Sequence, residues 1–179
     1  MRTPLEHILM THYKVDMIAF MDSHPEYFEE AITLALSDLQ PQSMRAASLV
    51  WSCMKENDPR IQEYLKDIIN LIPDKHDGHC RELLKILLRM KLSTEVEGVL
   101  FDISVTLWKN TKKKPSVRYA AFQIILKIAK KHPDLFREIL SLTDYRYLDS
   151  LSPGIKRAVK RIMKELSQQQ DKSGGYGGL

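Results

Sequence analysis

Apolar residues recur at intervals of three and four along nearly the whole chain, the spacing that places them on one side of an α-helix. Two such runs are Ile61, Tyr64, Leu65, Ile68, Ile69 and Ile72, and Val96, Val99, Leu100, Ile103 and Leu107. No stretch alternates apolar and polar residues between turn signals, so the pattern predicts no strands. The sequence therefore predicts an all-α protein.

Helix starts are marked by a hydroxyl residue with glutamate three positions later, and by prolines in the first turn. The hydroxyl–glutamate pairs begin at Thr3, Ser23 and Thr94. These marks predict four helix pairs after a short N-terminal pair at 4–12 and 14–22. We expect first helices near 25–39, 59–72, 94–110 and 133–147, and second helices near 42–56, 77–91, 115–131 and 153–168.

The second helices repeat one another in sequence. QSMRAASLVWSC at 42–53 closely matches PSVRYAAFQIIL at 115–126. Arginines recur in the four second helices at intervals of 36, 37 and 39 residues, at Arg45, Arg81, Arg118 and Arg157. This period is typical of an α-solenoid, in which each helix pair buries its apolar face against the next.

The helix pairs and their spacing resemble HEAT repeats and the related armadillo-type arrays. The HEAT pattern carries an aspartate in the turn between the helices, and Asp38 and Asp74 stand seven residues before the repeat arginines of the first two units. In the third and fourth units Thr111 and Ser150 occupy this position. The resemblance covers residues 25–168 and implies a short right-handed α-α superhelix, with the N-terminal pair as its cap. We expect the repeat arginines and turn aspartates to be structural.

The chain has 179 residues, enough for one repeat array, and we place a single HEAT-like domain at 1–168. The polar, glycine-rich tail at 169–179 is expected to be disordered. No segment has the features of a secretory signal or of a membrane span, so we expect no membrane association. Two cysteines make no disulfide framework, which favours a reduced, cytoplasmic compartment.

Charge is distributed unevenly between the two sets of predicted helices. The second helices carry 15 basic and four acidic side chains, whereas the first helices carry five basic and twelve acidic side chains. In arrays that resemble HEAT repeats the second helices line the concave side, so the resemblance implies a basic concave groove. Such a groove attracts phosphate backbones or acidic protein segments. Basic residues also favour helix C-termini without any ligand, because they complement the helix dipole.

We interpret the chain as a non-catalytic scaffold that binds a macromolecule, with a protein as the favoured partner. The candidate contact residues are Lys85, Arg89, Tyr119, Gln123, Lys127, Lys130, Lys156, Lys160, Arg161 and Lys164. The alternative is a nucleic-acid binding protein, whose catalytic version resembles the HEAT-like DNA glycosylases that excise alkylated bases. Such an enzyme needs a carboxylate that faces into the groove beside an aromatic ring. Self-association through an open end of the array is a further possibility.

Other candidate chemistry is sparse. The segment DKHDGHC at 74–80 contains two histidines and Cys80, the residue types that zinc prefers, but no second close-set ligand pair follows it. We therefore expect no metal and no cofactor. Cys53 and Cys80 lie among apolar residues and are predicted to be core residues, as are Trp51 and Trp108. No phosphate-binding loop, dinucleotide motif or hydrolase motif occurs.

Overall fold

The structure is a computed structural model that describes residues 2–174, with the backbone alone described for 167 and 169–174. All regular elements in this part of the chain are helical, so the all-α prediction is confirmed. The N-terminal pair consists of α1 (Pro4–Thr11) and α2 (Lys14–Ser23). None of the described helices is both long enough and apolar enough to cross a bilayer.

Four further helix pairs follow, as the apolar spacing predicts. Their first members are α3 (Phe28–Leu36), α5 (Leu65–Leu71), α7 (Thr94–Lys109) and α9 (Phe136–Leu142), with the short α10 (Tyr145–Leu148) after α9. Their second members are α4 (Gln42–Cys53), α6 (Asp77–Leu88), α8 (Pro115–Ala129) and α11 (Pro153–Gly174).

Three of the first helices begin with one or two turns of 3-10 helix rather than with α-helix. These turns are Pro25–Tyr27, Pro59–Tyr64 and Pro133–Leu135. Each starts with proline, whose fixed φ and missing N–H suit the first turn of a helix. The predicted helix at 133–147 is divided, because the Asp144 carboxylate accepts a hydrogen bond from the backbone N–H of Arg146 at 3.0 Å and starts a new helix there.

The last helix is longer than the sequence pattern predicts. α11 continues to Gly174, past the predicted boundary at 168. No proline follows Pro153 in this region, and the glutamines at 168–170 are good helix formers, so nothing in the sequence stops the helix before the glycines. The remaining residues of the predicted tail, 175–179, lie outside the described residues.

The helices pack in two layers. In one layer α3 contacts α5 and α5 contacts α7, while in the other α4 contacts α6 and α6 contacts α8. The layers join within the first and third units, where α3 packs on α4 and α7 on α8. Both N-terminal helices contact α4 and cover that end of the array. A single apolar core runs through these units, which gives the solenoid-like architecture.

Polar contacts between successive turns fix how each unit is placed on the next. The ammonium of Lys75, which is buried, donates to the carboxylate of Asp38 in the preceding unit. One unit further on, Asp77 accepts a hydrogen bond from the backbone N–H of Lys114 at 2.7 Å and pairs with Lys113 at 3.1 Å. These contacts hold the second helices side by side and so form the face described below.

A buried carboxylate organises the start of the second unit. Asp58 is 1% exposed and accepts hydrogen bonds from the side chain of Arg60 at 2.7 and 3.0 Å and from the backbone N–H of Lys55 at 3.0 Å. The hydrogen bonds from Arg60 are the main reason that the pKa of Asp58 is lowered to about 2. The same guanidinium lies 3.5 Å from the centre of the Phe28 ring, which ties this turn to the first unit.

Candidate binding face of the second helices

The second helices present one side to solvent, and a cleft of about 500 Å³ crosses all four of them there. We name it the Trp51 cleft. Its lining residues are Trp51 on α4, Arg81, Lys85, Leu88 and Arg89 at α6, Ser116, Tyr119, Ala120 and Gln123 on α8, and Ile155 on α11. Four of the predicted contact residues therefore lie together, namely Lys85, Arg89, Tyr119 and Gln123.

A second cleft, of about 480 Å³, lies between α11 and the pair α6 and α8. We name it the α11 cleft. It shares Leu88 and Gln123 with the Trp51 cleft, so the two clefts adjoin at these residues. The other lining residues are Leu126, Lys127, Lys130, Ile162, Glu165 and Leu166. Two of the predicted contact residues, Lys127 and Lys130, therefore line the α11 cleft.

Trp51 is a wall of the first cleft as well as a core residue. Its ring is half-buried and packs against the core, and it lines the cleft with its remaining surface. The ammonium of Lys85 lies 3.4 Å from the ring centre, and that of Lys14 lies 5.1 Å away. Trp108, in contrast, is fully buried, stacks on Phe122 and donates from its indole nitrogen to the Leu142 carbonyl at 2.7 Å. The sequence pattern did not distinguish these two tryptophans.

Glu82 is buried beside the cleft and holds two of its cations. Its carboxylate is 3% exposed and accepts hydrogen bonds from Arg81 at 2.6 and 3.0 Å and from Lys85 at 2.8 Å. Burial alone would raise the pKa of Glu82, but the hydrogen bonds from Lys85 and Arg81 outweigh burial and lower it. Sequence reasoning missed this residue, although its spacing from Lys85 is that of a helical ion pair.

Arg89 joins the ends of α4 and α6. One of its terminal nitrogens donates to the backbone carbonyl of Trp51 at 3.2 Å, and its Nε lies 3.4 Å from the carboxylate of Glu56. The guanidinium is about one-third exposed. It is therefore oriented by the fold and still open to the cleft.

Lys127 holds the C-terminal end of α6. Its ammonium donates to the carbonyls of Leu88 and Met90, each at 2.6 Å, and burial lowers its pKa. These carbonyls belong to the end of a helix, where no further backbone donor follows. The charge of Lys127 is thus directed at backbone rather than at solvent.

The basic residues of α11 lie on a separate surface. Arg157, Lys160, Arg161 and Lys164 are exposed, and their spacing places them opposite the apolar side that packs on the core. We name them the α11 basic stripe. They line neither cleft, and none of them has an ion-pair partner among the described residues. Lys156, next to the stripe, lies 3.8 Å from the carboxylate of Asp149.

The repeat arginines have different environments despite their equivalent positions. Arg45 donates to the carbonyls of Leu9 and His12 and so fixes the N-terminal pair on α4. Arg81 bonds to its neighbour in the sequence and lines the Trp51 cleft. Arg157 is exposed on α11.

Arg118 is fully buried between α7, α8 and the turn that follows α10. Its Nε donates to the Trp108 carbonyl at 2.8 Å, and its terminal nitrogens donate to the Ser150 hydroxyl at 2.6 Å and to the Tyr147 carbonyl. All three nitrogens are therefore occupied by groups of the third and fourth units.

The turn aspartates do not pair with the arginines that follow them. Asp38 accepts from Lys75 instead of Arg45, and the hydrogen bond from Lys75 lowers its pKa. Asp74 is exposed and makes no side-chain hydrogen bond within the described residues, while Asp77 takes the contact to the next unit.

The histidine and cysteine segment is part of the packing between α3 and α6. The ring of buried His79 bonds through Nε2 to the Ala35 carbonyl at 2.7 Å and through Nδ1 to the Gln40 amide at 2.9 Å. Burial lowers the pKa of His79. Burial likewise raises the pKa of Cys53 and of Cys80 to about 11, so both thiols stay protonated at neutral pH. The described residues contain no cluster of potential metal ligands.

Comparison with known proteins agrees with this architecture. The family model for the HEAT repeat domain matches residues 1–166, which includes the N-terminal pair and most of the described part of α11. No curated protein and no solved structure matches the chain. The match and the stacked helix pairs together assign the chain to the HEAT repeat domain family.

Proposed function

We propose that this HEAT repeat chain is a non-catalytic scaffold that binds a protein partner through the face of its second helices. The observation that carries the proposal is the Trp51 cleft, where helices from four successive units meet around one open depression. Solenoid repeats bind partners along such extended surfaces, and an apolar depression with a few polar groups at its edge is the usual form of a binding site. We also place the repeat domain, 1–168, in a reducing compartment such as the cytoplasm, since both cysteines are free.

The charges on this face favour a protein over a nucleic acid. Arg81 and Lys85 share the carboxylate of Glu82, and Arg89 is paired with Glu56. The face is therefore less basic than its composition indicates. Nucleic-acid binding depends on several cations that are available to neutralise successive phosphates, and the cleft offers few.

The same geometry argues against a base-excising enzyme. The Trp51 cleft has two aromatic side chains but no carboxylate among its lining residues, and the α11 cleft has Glu165 but no aromatic residue. Glu82, the buried carboxylate on α6 beside the Trp51 cleft, is bonded to two cations. A carboxylate that faces into the groove beside an aromatic ring is thus missing from both clefts.

Site-specific photo-crosslinking tests the proposal. A photo-reactive amino acid in place of Tyr119 samples the cleft, and the same residue in place of Val99 on α7, which is 52% exposed, is the control on the other layer. We expect irradiation of cells that contain the chain to give a defined protein adduct from position 119 and none from position 99. Equal adducts at both positions, or an adduct at 119 that nuclease digestion removes, would contradict the proposal.

A further inference from the structure

The floor of the Trp51 cleft is suited to an apolar side chain. Trp51, Tyr119 and Leu88 contribute it from three different helices, and Ile155 closes it from α11. Both aromatic rings are half-buried, so their orientation is fixed by the core while part of their surface stays exposed. Covering such a surface with an apolar side chain removes apolar area from water, which favours binding.

The edge of the cleft is suited to a carboxylate. Glu82 binds Nε and one terminal nitrogen of Arg81, which leaves the other terminal nitrogen without a partner among the described residues. The Arg81 side chain is 44% exposed. A guanidinium held in this way is oriented before a ligand arrives, and its planar group matches a carboxylate.

The balance of charge limits how many carboxylates the cleft accepts. Arg81 and Lys85 together exceed Glu82 by one positive charge, whereas Arg89 is matched by Glu56. A single carboxylate would neutralise this excess. A run of acidic residues or of phosphates would leave like charges facing Glu82 and Glu56.

Helix geometry sets the spacing between the apolar floor at Trp51 and the carboxylate-binding edge at Arg81. Lys85, which lies on the Trp51 ring, is four residues from Arg81 on α6, a rise of about 6 Å. Two residues of extended chain span a similar distance, about 6.6 Å.

We propose, on the basis of the protein-binding function above, that the Trp51 cleft recognises an extended polypeptide segment with one apolar anchor and one aspartate or glutamate two residues away. The anchor lies between Trp51 and Tyr119, and the carboxylate binds Arg81.

A random nonapeptide library displayed on phage and selected on the full chain provides the probe. Enriched peptides should contain an apolar residue with an acidic residue two positions away. The peptide that binds most tightly is then synthesised with a fluorescent label. A second labelled peptide, the amide peptide, has asparagine or glutamine in place of the acidic residue. Binding of both peptides is measured by anisotropy to the wild type and to the Arg81→Gln, Arg81→Lys, Tyr119→Ala and Lys160→Gln variants.

The amide peptide should bind the wild type about fivefold more weakly, the upper range for a solvent-exposed ion pair. The affinities of the two peptides for Arg81→Gln should differ by less than twofold, because this variant already lacks the contact between Arg81 and the peptide carboxylate. Arg81→Lys retains the positive charge, so it should restore part of the difference in affinity between the acidic peptide and the amide peptide. Lys160→Gln, on the α11 basic stripe, should leave both affinities unchanged.

The outcomes separate this inference from the function on which it depends. If no selected peptide loses affinity in Tyr119→Ala, the cleft is not the binding site and both proposals fail. If Tyr119→Ala weakens binding but the amide peptide loses equal affinity against wild type and Arg81→Gln, only the carboxylate assignment is wrong. Binding of a labelled oligothymidine that competes with the peptide would overturn the choice of a polypeptide ligand.

Discussion

Replacing Arg118 by alanine should destabilise the chain more than the change of any other repeat arginine. The substitution leaves the buried carbonyl of Trp108 and the half-buried carbonyl of Tyr147 without their donor, and it removes the hydrogen bond to Ser150. Each buried polar group left unpaired costs about 1–3 kcal/mol. The cavity that the side chain leaves adds to this cost. The free energy of unfolding should therefore fall by about 4 kcal/mol, or the melting temperature by roughly 10 °C.

The matched control is Arg157→Ala, at the equivalent repeat position of the fourth unit. Arg157 is exposed on α11 and has no ion-pair partner among the described residues, so its loss should change stability by less than about 0.5 kcal/mol. Arg118→Lys should recover less than half of the loss, since an ammonium cannot reproduce the planar set of donors.

Urea unfolding followed by far-ultraviolet circular dichroism measures these differences. Repeat arrays can open one unit at a time, so hydrogen exchange of residues 145–166 should also accelerate in Arg118→Ala. If Arg118→Ala unfolds within about 1 kcal/mol of Arg157→Ala, the hydrogen bonds of Arg118 do not hold the last unit and the reasoning is wrong.

Three further predictions follow from individual contacts. Lys127→Glu should cost about 2–3 kcal/mol because it places a carboxylate against two helix-end carbonyls, whereas Lys164→Glu should leave thermal unfolding almost unchanged. Asp58, whose folded pKa of about 2 lies below its unfolded value, stabilises the fold above pH 4 and loses that contribution as the pH falls. Between pH 5 and pH 3, the free energy of unfolding of the wild type should therefore fall by about 1 kcal/mol more than that of Asp58→Asn, as measured by urea titration. Both thiols, with pKa values of about 11, should react with iodoacetamide at pH 7.5 far more slowly in the native chain than in urea, and equal rates would contradict their burial.

The helices and their order could be predicted from the sequence because each depends on local spacing. The start of α7 near Thr94 and that of α8 at Pro115 were predicted at the residues where the structure has them. The division after α9 was missed because the apolar spacing continues across Asp144. The side chain of Asp144 caps a new helix at that point instead.

The roles of individual side chains could not be predicted, because they depend on contacts between units. Arg118 and Arg157 occupy the same position in the repeat, yet one is buried and the other exposed. The partner of Asp38 is Lys75, which stands outside the repeat pattern. The charge count of the second helices likewise could not reveal that Glu82 takes up part of the positive charge.

The division of the predicted contact residues has a geometric cause. Lys85, Tyr119 and Gln123 meet because α6 and α8 are neighbours in one layer, and their spacing directs them to one side. Lys160 and Lys164 belong to the next second helix, but the apolar side of α11 turns them away from the cleft. Membership of a second helix was therefore not enough to predict that a residue lines either cleft.

Nuclear magnetic resonance of the two tryptophan indoles tests most directly whether the second-helix face binds a partner. Trp51 lines the cleft and Trp108 lies in the core, so the chain has one reporter and one internal control. Titration with the tightest selected peptide should shift the Trp51 indole signal until it saturates at the affinity measured by anisotropy, while the Trp108 signal stays in place. A peptide that binds with the same affinity and leaves the Trp51 signal unmoved would contradict the account.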